Sequence, residues 1–368
     1  MPRQAVASHA ILHAMHPRRA FVLSLIAAPA LAASAAALRF PADFGAHPAS
    51  RIEWWYITGA LDAGARSWGF QITFFRASTG SVAGAASASR FAPQQIVFAH
   101  AAVTDLALRR LRHAQRIARA GFGIAEALEG ETALVLRDWR LGRTEEGGRS
   151  RYAATASSDA SGFSFRLALA ATQPVLLQGI GGVSQKGPRS EQSSRYYSEP
   201  QLAATGTLSI DGQAVDVTGR AWLDHEWSDS ILDASAVGWD WLGINLDDGA
   251  ALTAFRLRRA DGSTLWSGGS YRTAGGALRN FVDGEAVLTP GRVWQSPATQ
   301  ARYPVEWRVT TPAGNFTLRA LLDDQELDSR ASTGAVYWEG LSMLGDESGR
   351  RVGRGYLEMT GYAARLTL

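Results

Sequence analysis

The sequence predicts an all-β protein made of two similar, tandem antiparallel β-barrels. Three observations carry that reading. Apolar and polar residues alternate in short runs, Asp-Gly pairs separate several of the runs, and features of the first half return in the second.

From the N-terminus, residues 1–37 stand apart from the fold as a leader. They contain no Asp or Glu but include Arg3, Arg18 and Arg19. An apolar run over 21–28 follows the basic pair, and Ala30-Leu31-Ala32 fits a small-residue cleavage site, which puts cleavage between 32 and 38. The run is too short for a membrane span. Arg18-Arg19-Ala20-Phe21-Val22-Leu23 also resembles a twin-arginine export signal, with an ordinary Sec signal as the alternative and Met15 as an alternative start. The mature protein is therefore expected in the periplasm or outside the cell, with no transmembrane segment.

The alternation begins at Trp55-Tyr56-Ile57-Thr58-Gly59 and continues through Gly69-Phe70-Gln71-Ile72-Thr73-Phe74-Phe75 and Phe163-Ser164-Phe165-Arg166-Leu167. Asp211-Gly212, Asp248-Gly249 and Asp261-Gly262 lie between such runs, and Asp-Gly favours tight hairpins whose turn residues need positive φ. Residues 105–120 differ. Leucines and alanines there recur at roughly helical spacing among Arg109, Arg110, Arg112, Arg116 and Arg119, so a short helix or a basic loop is expected. Trp54-Trp55-Tyr56-Ile57-Thr58-Gly59-Ala60-Leu61-Asp62 aligns with Trp239-Asp240-Trp241-Leu242-Gly243-Ile244-Asn245-Leu246-Asp247. Phe75-Arg76 then matches Phe255-Arg256, and Tyr196-Tyr197 parallels Tyr337-Trp338. A diverged duplication follows, with one domain over 38–229 and the other over 230–368.

Composition excludes several functions. The chain has 37 basic and 34 acidic residues, and loss of the three leader arginines leaves 34 of each. Nucleic-acid binding, which calls for a basic excess, is not expected. There is no cysteine, hence no disulfide and no thiolate chemistry. No G-x-S-x-G elbow, H-E-x-x-H metal motif or phosphate loop occurs, and neither metal nor cofactor is expected.

What remains is a set of aromatic and acidic clusters: Glu53-Trp54-Trp55-Tyr56, Asp224-His225-Glu226-Trp227, Trp239-Asp240-Trp241 and Tyr337-Trp338-Glu339-Gly340. Tryptophan is costly to expose and a carboxylate is costly to bury, so their mixture points to an aromatic-walled site with acids inside. In an extended strand Asp240 shares a face with Leu242, Ile244 and Leu246, while Trp239 and Trp241 point the other way. Desolvation there would raise its pKa and suit it to general-acid work, whereas an arginine partner would make it structural. Asp224 and Glu226 share a side with Trp222, and His225 lies with Leu223 and Trp227.

At these clusters the chain, from about Phe40 to Leu368, resembles the carotenoid 1,2-hydratase family and its secreted AttH-like relatives. Further marks are Phe98-Ala99-His100, Ser184-Gln185-Lys186-Gly187, Tyr196-Tyr197-Ser198 and Gly355-Tyr356-Leu357-Glu358. The resemblance implies two lipocalin-like barrels and acid-catalysed hydration of a C=C bond in an isoprenoid or lipid. Asp240 or Asp224 would donate the proton, Glu226 is a lesser candidate, and His225 would orient or deprotonate water. The expected ligand-binding set draws on the same runs. From the first half it takes Glu53, Trp54, Trp55, Tyr56, Arg76, His100, Lys186, Tyr196, Tyr197 and Trp227. From the second it takes Trp239, Trp241, Tyr337 and Trp338. The alternative is a non-catalytic periplasmic carrier of a hydrophobic small molecule, serving a membrane transporter. A secreted hydrolase is the third reading.

Overall fold

The structure, a computed structural model, describes residues 37–79, 94–230 and 232–366. The leader lies outside them apart from its last residue. The described residues form an all-β protein whose only helix is a single 3-10 turn, Ala42–Phe44. None of their helices is long and apolar enough to cross a membrane.

Nine strands build the site: β1 Ile52–Ala63, β2 Arg66–Ser78, β3 Gln95–Asp105, β4 Ser193–Ile210, β5 Gln213–Ser228, β6 Ala236–Leu246, β7 Ala251–Arg259, β8 Ala335–Gly345 and β9 Arg351–Met359. The first five belong to a 13-stranded antiparallel sheet, the last four to a 10-stranded one. Each sheet has the same centre: β1 lies between β2 and β5, and β6 lies between β7 and β9. The edge strands of the first sheet, Arg110–Arg119 and Ala125–Ala127, are joined by a bridge from Gly121 to Ala125 that nearly closes it into a barrel.

The ladders correct the spacing of the repeat. Glu53 pairs with Arg76 and Asp240 with Arg256, so the counterpart of Asp240 is Glu53 rather than Trp55. Tyr196 sits opposite Glu226 and Glu339 opposite Glu358, which likewise matches Tyr196 to Glu339 rather than to Tyr337. Both corrections are slips of two residues. A slip of two keeps every side chain on its face, so the assignment of faces survives it.

The expected helix or loop over 105–120 is instead a strand. Arg110–Arg119 pairs along its whole length with β3, and Asp105 Oδ1 accepts from the Ala107 and Leu108 amides to turn the chain between them. Period-two alternation decides the outcome. Arg112, Ala114, Arg116 and Ala118 share one face, on which Ala114 and Ala118 pack against the first core and Arg112 reaches Asp211 at 2.9 Å. Asp211-Gly212 is a two-residue turn with both φ values positive, whereas at the other two Asp-Gly pairs only the glycine is at positive φ and the loops are longer.

Each sheet encloses its own core. Trp55, Ile57, Phe70, Ile72, Phe74 and Trp139 fill the first, and Leu242, Ile244, Trp307, Trp338, Leu357 and Met359 the second. A third cluster, including Tyr56 and Trp222 from one sheet and Trp241, Phe255, Leu341 and Tyr356 from the other, packs the two sheets together by their outer faces. A β-bulge in β4 fixes that contact. Gln201, at φ 61, donates its amide to Asn245 Oδ1 at 2.7 Å and its side chain to the carbonyls of Leu246 and Ala250.

Candidate functional site

Strand alternation sorts every cluster of the sequence between two destinations. On β1, Ile52, Trp54 and Tyr56 face the second sheet, while Glu53, Trp55 and Ile57 turn into the first barrel. On β5, Asp224 and Glu226 face outward while His225 and Trp227 face in; on β6, Trp239 and Trp241 face outward while Asp240 faces in. The outward set from both sheets encloses a cavity of about 330 Å³. Its wall is mostly aromatic and aliphatic, with Phe75, Phe98, Phe255 and Leu257 completing it.

Four carboxylates line this apolar space: Asp224, Glu226 and Glu339, all buried, and Glu358, partly buried. Asp224 accepts from the Tyr196 hydroxyl at 2.7 Å, the Ser198 hydroxyl at 2.5 Å and the Trp222 indole at 2.7 Å. Burial nevertheless pushes its pKa up to about 7, and the charge of Glu226 adds to the rise. Glu358 is likewise raised to about 7, by burial first and then by Asp224 and Glu226, while Trp239 beside it acts the other way. Glu339 stands directly across the ladder from Glu358 and is held well above the ordinary carboxylate range by burial and by that neighbour. Two facing acids cannot both ionise cheaply in such a place, and the protonated form of Glu339 is favoured. Tyr56 and Gln71 beside it act the other way without offsetting the burial, and Tyr56 Oη and Glu339 Oε1 are both buried outside any hydrogen bond of normal geometry.

Glu226 is ion-paired with Lys186 at 2.9 Å, and the ammonium rests over the Phe255 ring at 4.3 Å and the Tyr196 ring at 4.7 Å. At another part of the wall His100 Nδ1 meets the Tyr337 hydroxyl at 2.8 Å, and Nε2 meets Ser332 Oγ at 2.9 Å. Burial holds the His100 pKa down at about 3, so the ring is neutral. Because Ser332 gives its proton to Gln115 Oε1, the consistent tautomer has Nε2–H donating to Ser332 and Nδ1 accepting from Tyr337.

The cavity therefore gathers Asp224, Glu226, Trp54, Tyr56, His100, Lys186, Tyr196, Trp239, Trp241 and Tyr337 from the expected set. It does not gather Asp240, His225, Glu53, Trp55, Arg76, Tyr197, Trp227 or Trp338, whose places in the strands turn them to the barrel interiors. Asp240 is the counter-ion of Arg256 at 2.7 Å and Arg258 at 3.1 Å, and it also accepts from the Tyr362 hydroxyl. That is the arginine-paired, structural alternative for this residue. His225 is stacked on Trp55, donates Nε2–H to Glu53 Oε1 at 2.8 Å and accepts from Tyr197. Glu339 and Glu358 were missed as site residues. Alternation could have found both, since Glu339 shares a face with Tyr337, and Glu358 shares one with Tyr356 in a strand that is otherwise apolar there.

Among the described residues, one group of side chains is spaced to hold a metal. His47, Glu53 and His225 place three ligand atoms within 4.8 Å of one another. The group is already satisfied by hydrogen bonds. Both imidazoles meet Glu53 Oε1, Arg76 Nε occupies Oε2 at 2.8 Å, and the guanidinium stands where it would repel a cation. Burial works to raise the Glu53 pKa, but the bonds from His225 and His47 outweigh it and hold the carboxyl at about 2. Burial lowers the pKa of His225, and Arg76 brings a permanent positive charge to Glu53.

A model of the AttH-like family matches residues 31–362. The chain belongs to the AttH-like family. A candidate AttH from Nitrosomonas europaea is similar in structure, with a TM-score of 0.82 and 45% identity over 89% of this chain and 98% of that one. Kievitone hydratase from Nectria haematococca shares the fold at a TM-score of 0.68, with 14% identity over 89% of this chain and 94% of that one. A search of curated proteins finds no match. The fold of this AttH-like protein is thus an all-β, lipocalin-like one built on two sheets.

Proposed function

We propose that this AttH-like protein is exported, takes an elongated isoprenoid or lipid into the cavity between its sheets, and adds water across a C=C bond by acid catalysis. The observation that carries this reading is the buried Glu339, with Oε1 unpartnered and its pKa held well above the ordinary range, set opposite Glu358 in an aromatic-walled space. The fold shared with kievitone hydratase supports it. Glu339 gives its proton to the less substituted alkene carbon, forming a C–H bond and leaving a tertiary carbocation. The faces of Trp54, Trp239 and Trp241 stabilise that cation, at about 0.5–2 kcal/mol for each well-placed ring. Glu339, now ionised, becomes its counter-ion. Water attacks the cation, Glu358 accepts the proton released, and passage of that proton across the ladder restores Glu339.

The test is incubation in H₂¹⁸O of the mature protein with the lipids and polyenes that co-purify with it. Incorporation of the heavy oxygen into a bound alkene, lost in Glu339→Gln with binding retained, is the expected result. Ligand that binds and returns unchanged would instead make the protein a carrier, for which the same apolar wall serves.

A further inference from the structure

We propose that the cavity is also a binding site for organic cations, taking a ligand with a tertiary or quaternary ammonium group on an apolar chain. The inference rests on the cavity being the ligand site, as proposed above, but not on turnover. Charge count comes first. Asp224, Glu226, Glu339 and Glu358 line the space, and the only Lys or Arg among the lining residues is Lys186, which is committed to Glu226 at 2.9 Å. Arg256 and Arg258, on β7, lie on the opposite face of that strand and are held by Asp240. Glu339 and Glu358 therefore confront each other across the ladder with no Lys or Arg of the lining free to pair with them, and only a proton or a ligand's cation can offset the charge of the second acid.

A second observation points to a ligand. Tyr56 and Glu339, 6% and 2% exposed, each leave a buried oxygen without a hydrogen-bond partner. Buried polar atoms are nearly always paired, and a site awaiting its ligand is one reason for an exception. The wall also suits a soft cation. Trp54, Trp239 and Trp241 offer ring faces, and Lys186 over Phe255 at 4.3 Å is the protein's own example of a cation on such a face. Ile52, Ala77, Leu257 and Leu366 leave an apolar path for the chain.

The other titratable groups facing the acids do not compete. The phenols of Tyr196 and Tyr337 are held far above their ordinary pKa by burial, and His100 is neutral. Without a cation beside them Glu339 and Glu358 both favour their protonated forms. A bound ammonium favours their ionised forms, so binding releases protons and tightens as pH rises through the Glu358 pKa of about 7. A neutral amphiphile has no such dependence.

Calorimetric titration of the mature protein with decyltrimethylammonium below its micellar concentration, beside decanol as the neutral comparison, tests the inference. Measurements near pH 6 and pH 8, in buffers of different ionisation enthalpy, count the protons released. Binding of the ammonium that is about tenfold tighter at the higher pH, with proton release, is expected. In Glu339→Gln and separately in Glu358→Gln the ammonium should weaken by about tenfold or more while decanol is unchanged. Decanol binding as tightly as the ammonium, without pH dependence, would overturn the inference and leave the proposed function standing. Failure of both probes to bind would bring down the cavity reading itself.

Discussion

Glu339 and His100 show how burial alone sets the chemistry of a residue. Glu339 favours its protonated form because desolvation and Glu358 both penalise its charge, and His100 refuses a proton because its ring is buried with both nitrogens engaged. Replacing Glu339 by Gln removes the transferable proton without changing the shape of the side chain. Turnover in the ¹⁸O assay should then fall by about 10²–10⁴-fold, the usual worth of a positioned general acid. His100, with its pKa at about 3, should give ring-proton NMR shifts that stay constant above about pH 5. A titration near neutrality would show that the Tyr337–His100–Ser332 chain is not built as described.

At the scale of strands, the same device occurs once in each sheet. A carboxylate on the first strand of the repeat points inward and meets an arginine on the next: Glu53 with Arg76 at 2.8 Å, and Asp240 with Arg256 at 2.7 Å. Removal of one partner leaves an uncompensated buried charge. Asp240→Asn should therefore lower the unfolding free energy by about 3–5 kcal/mol in urea titrations. The folded variant should still hydrate ligand, because Asp240 does not reach the cavity. If Asp240→Asn abolished turnover at unchanged stability, the inward position of this carboxylate would be wrong.

For the whole molecule, the decisive contact is sheet against sheet. Gly69 on β2 lies so close to the second sheet that a Cβ there would sit 2.5 Å from Tyr356 Oη and 2.9 Å from Leu341 Cβ. Gly69→Ala should wedge the sheets apart, cost about 1–3 kcal/mol in stability and weaken ligand binding, measured by thermal unfolding with and without ligand. Stability should also depend on pH in two opposing ways. Asp224 and Glu358 have folded pKa values of about 7, above their ordinary 3.8 and 4.5, so the native state holds protons that the unfolded chain has lost. Their effect is a decline in stability as pH rises from about 4 to about 7. Glu53, lowered to about 2 from 4.5, stabilises fully above its ordinary pKa, and that contribution is lost as pH falls towards 2. The melting temperature should thus peak well on the acid side of neutrality, at about pH 4. Glu358→Gln should shrink the decline above the peak without moving the acid limb.

Much of this was legible in the sequence because a strand has a period of two. Alternation around Trp239-Asp240-Trp241 and Asp224-His225-Glu226 placed each side chain on its correct face, and a misjudged repeat spacing of two residues did no harm to that. Residues 105–120 misled because a hairpin joining two strands can carry leucines at helical spacing, and only pairing with β3 settles the matter. The sequence by itself determined the all-β class, the repeated strand pattern and the aromatic and acidic make-up of the site. Tertiary structure alone decided which face lines the cavity. Alternation gives two faces without saying what each will meet, and here the barrel interiors fill with their own side chains while the outer faces enclose the cavity. For that reason Asp240, the acid that looked most buried in the sequence, is a structural counter-ion, whereas Glu339 and Glu358 meet across the β8–β9 hairpin on the face that lines the cavity.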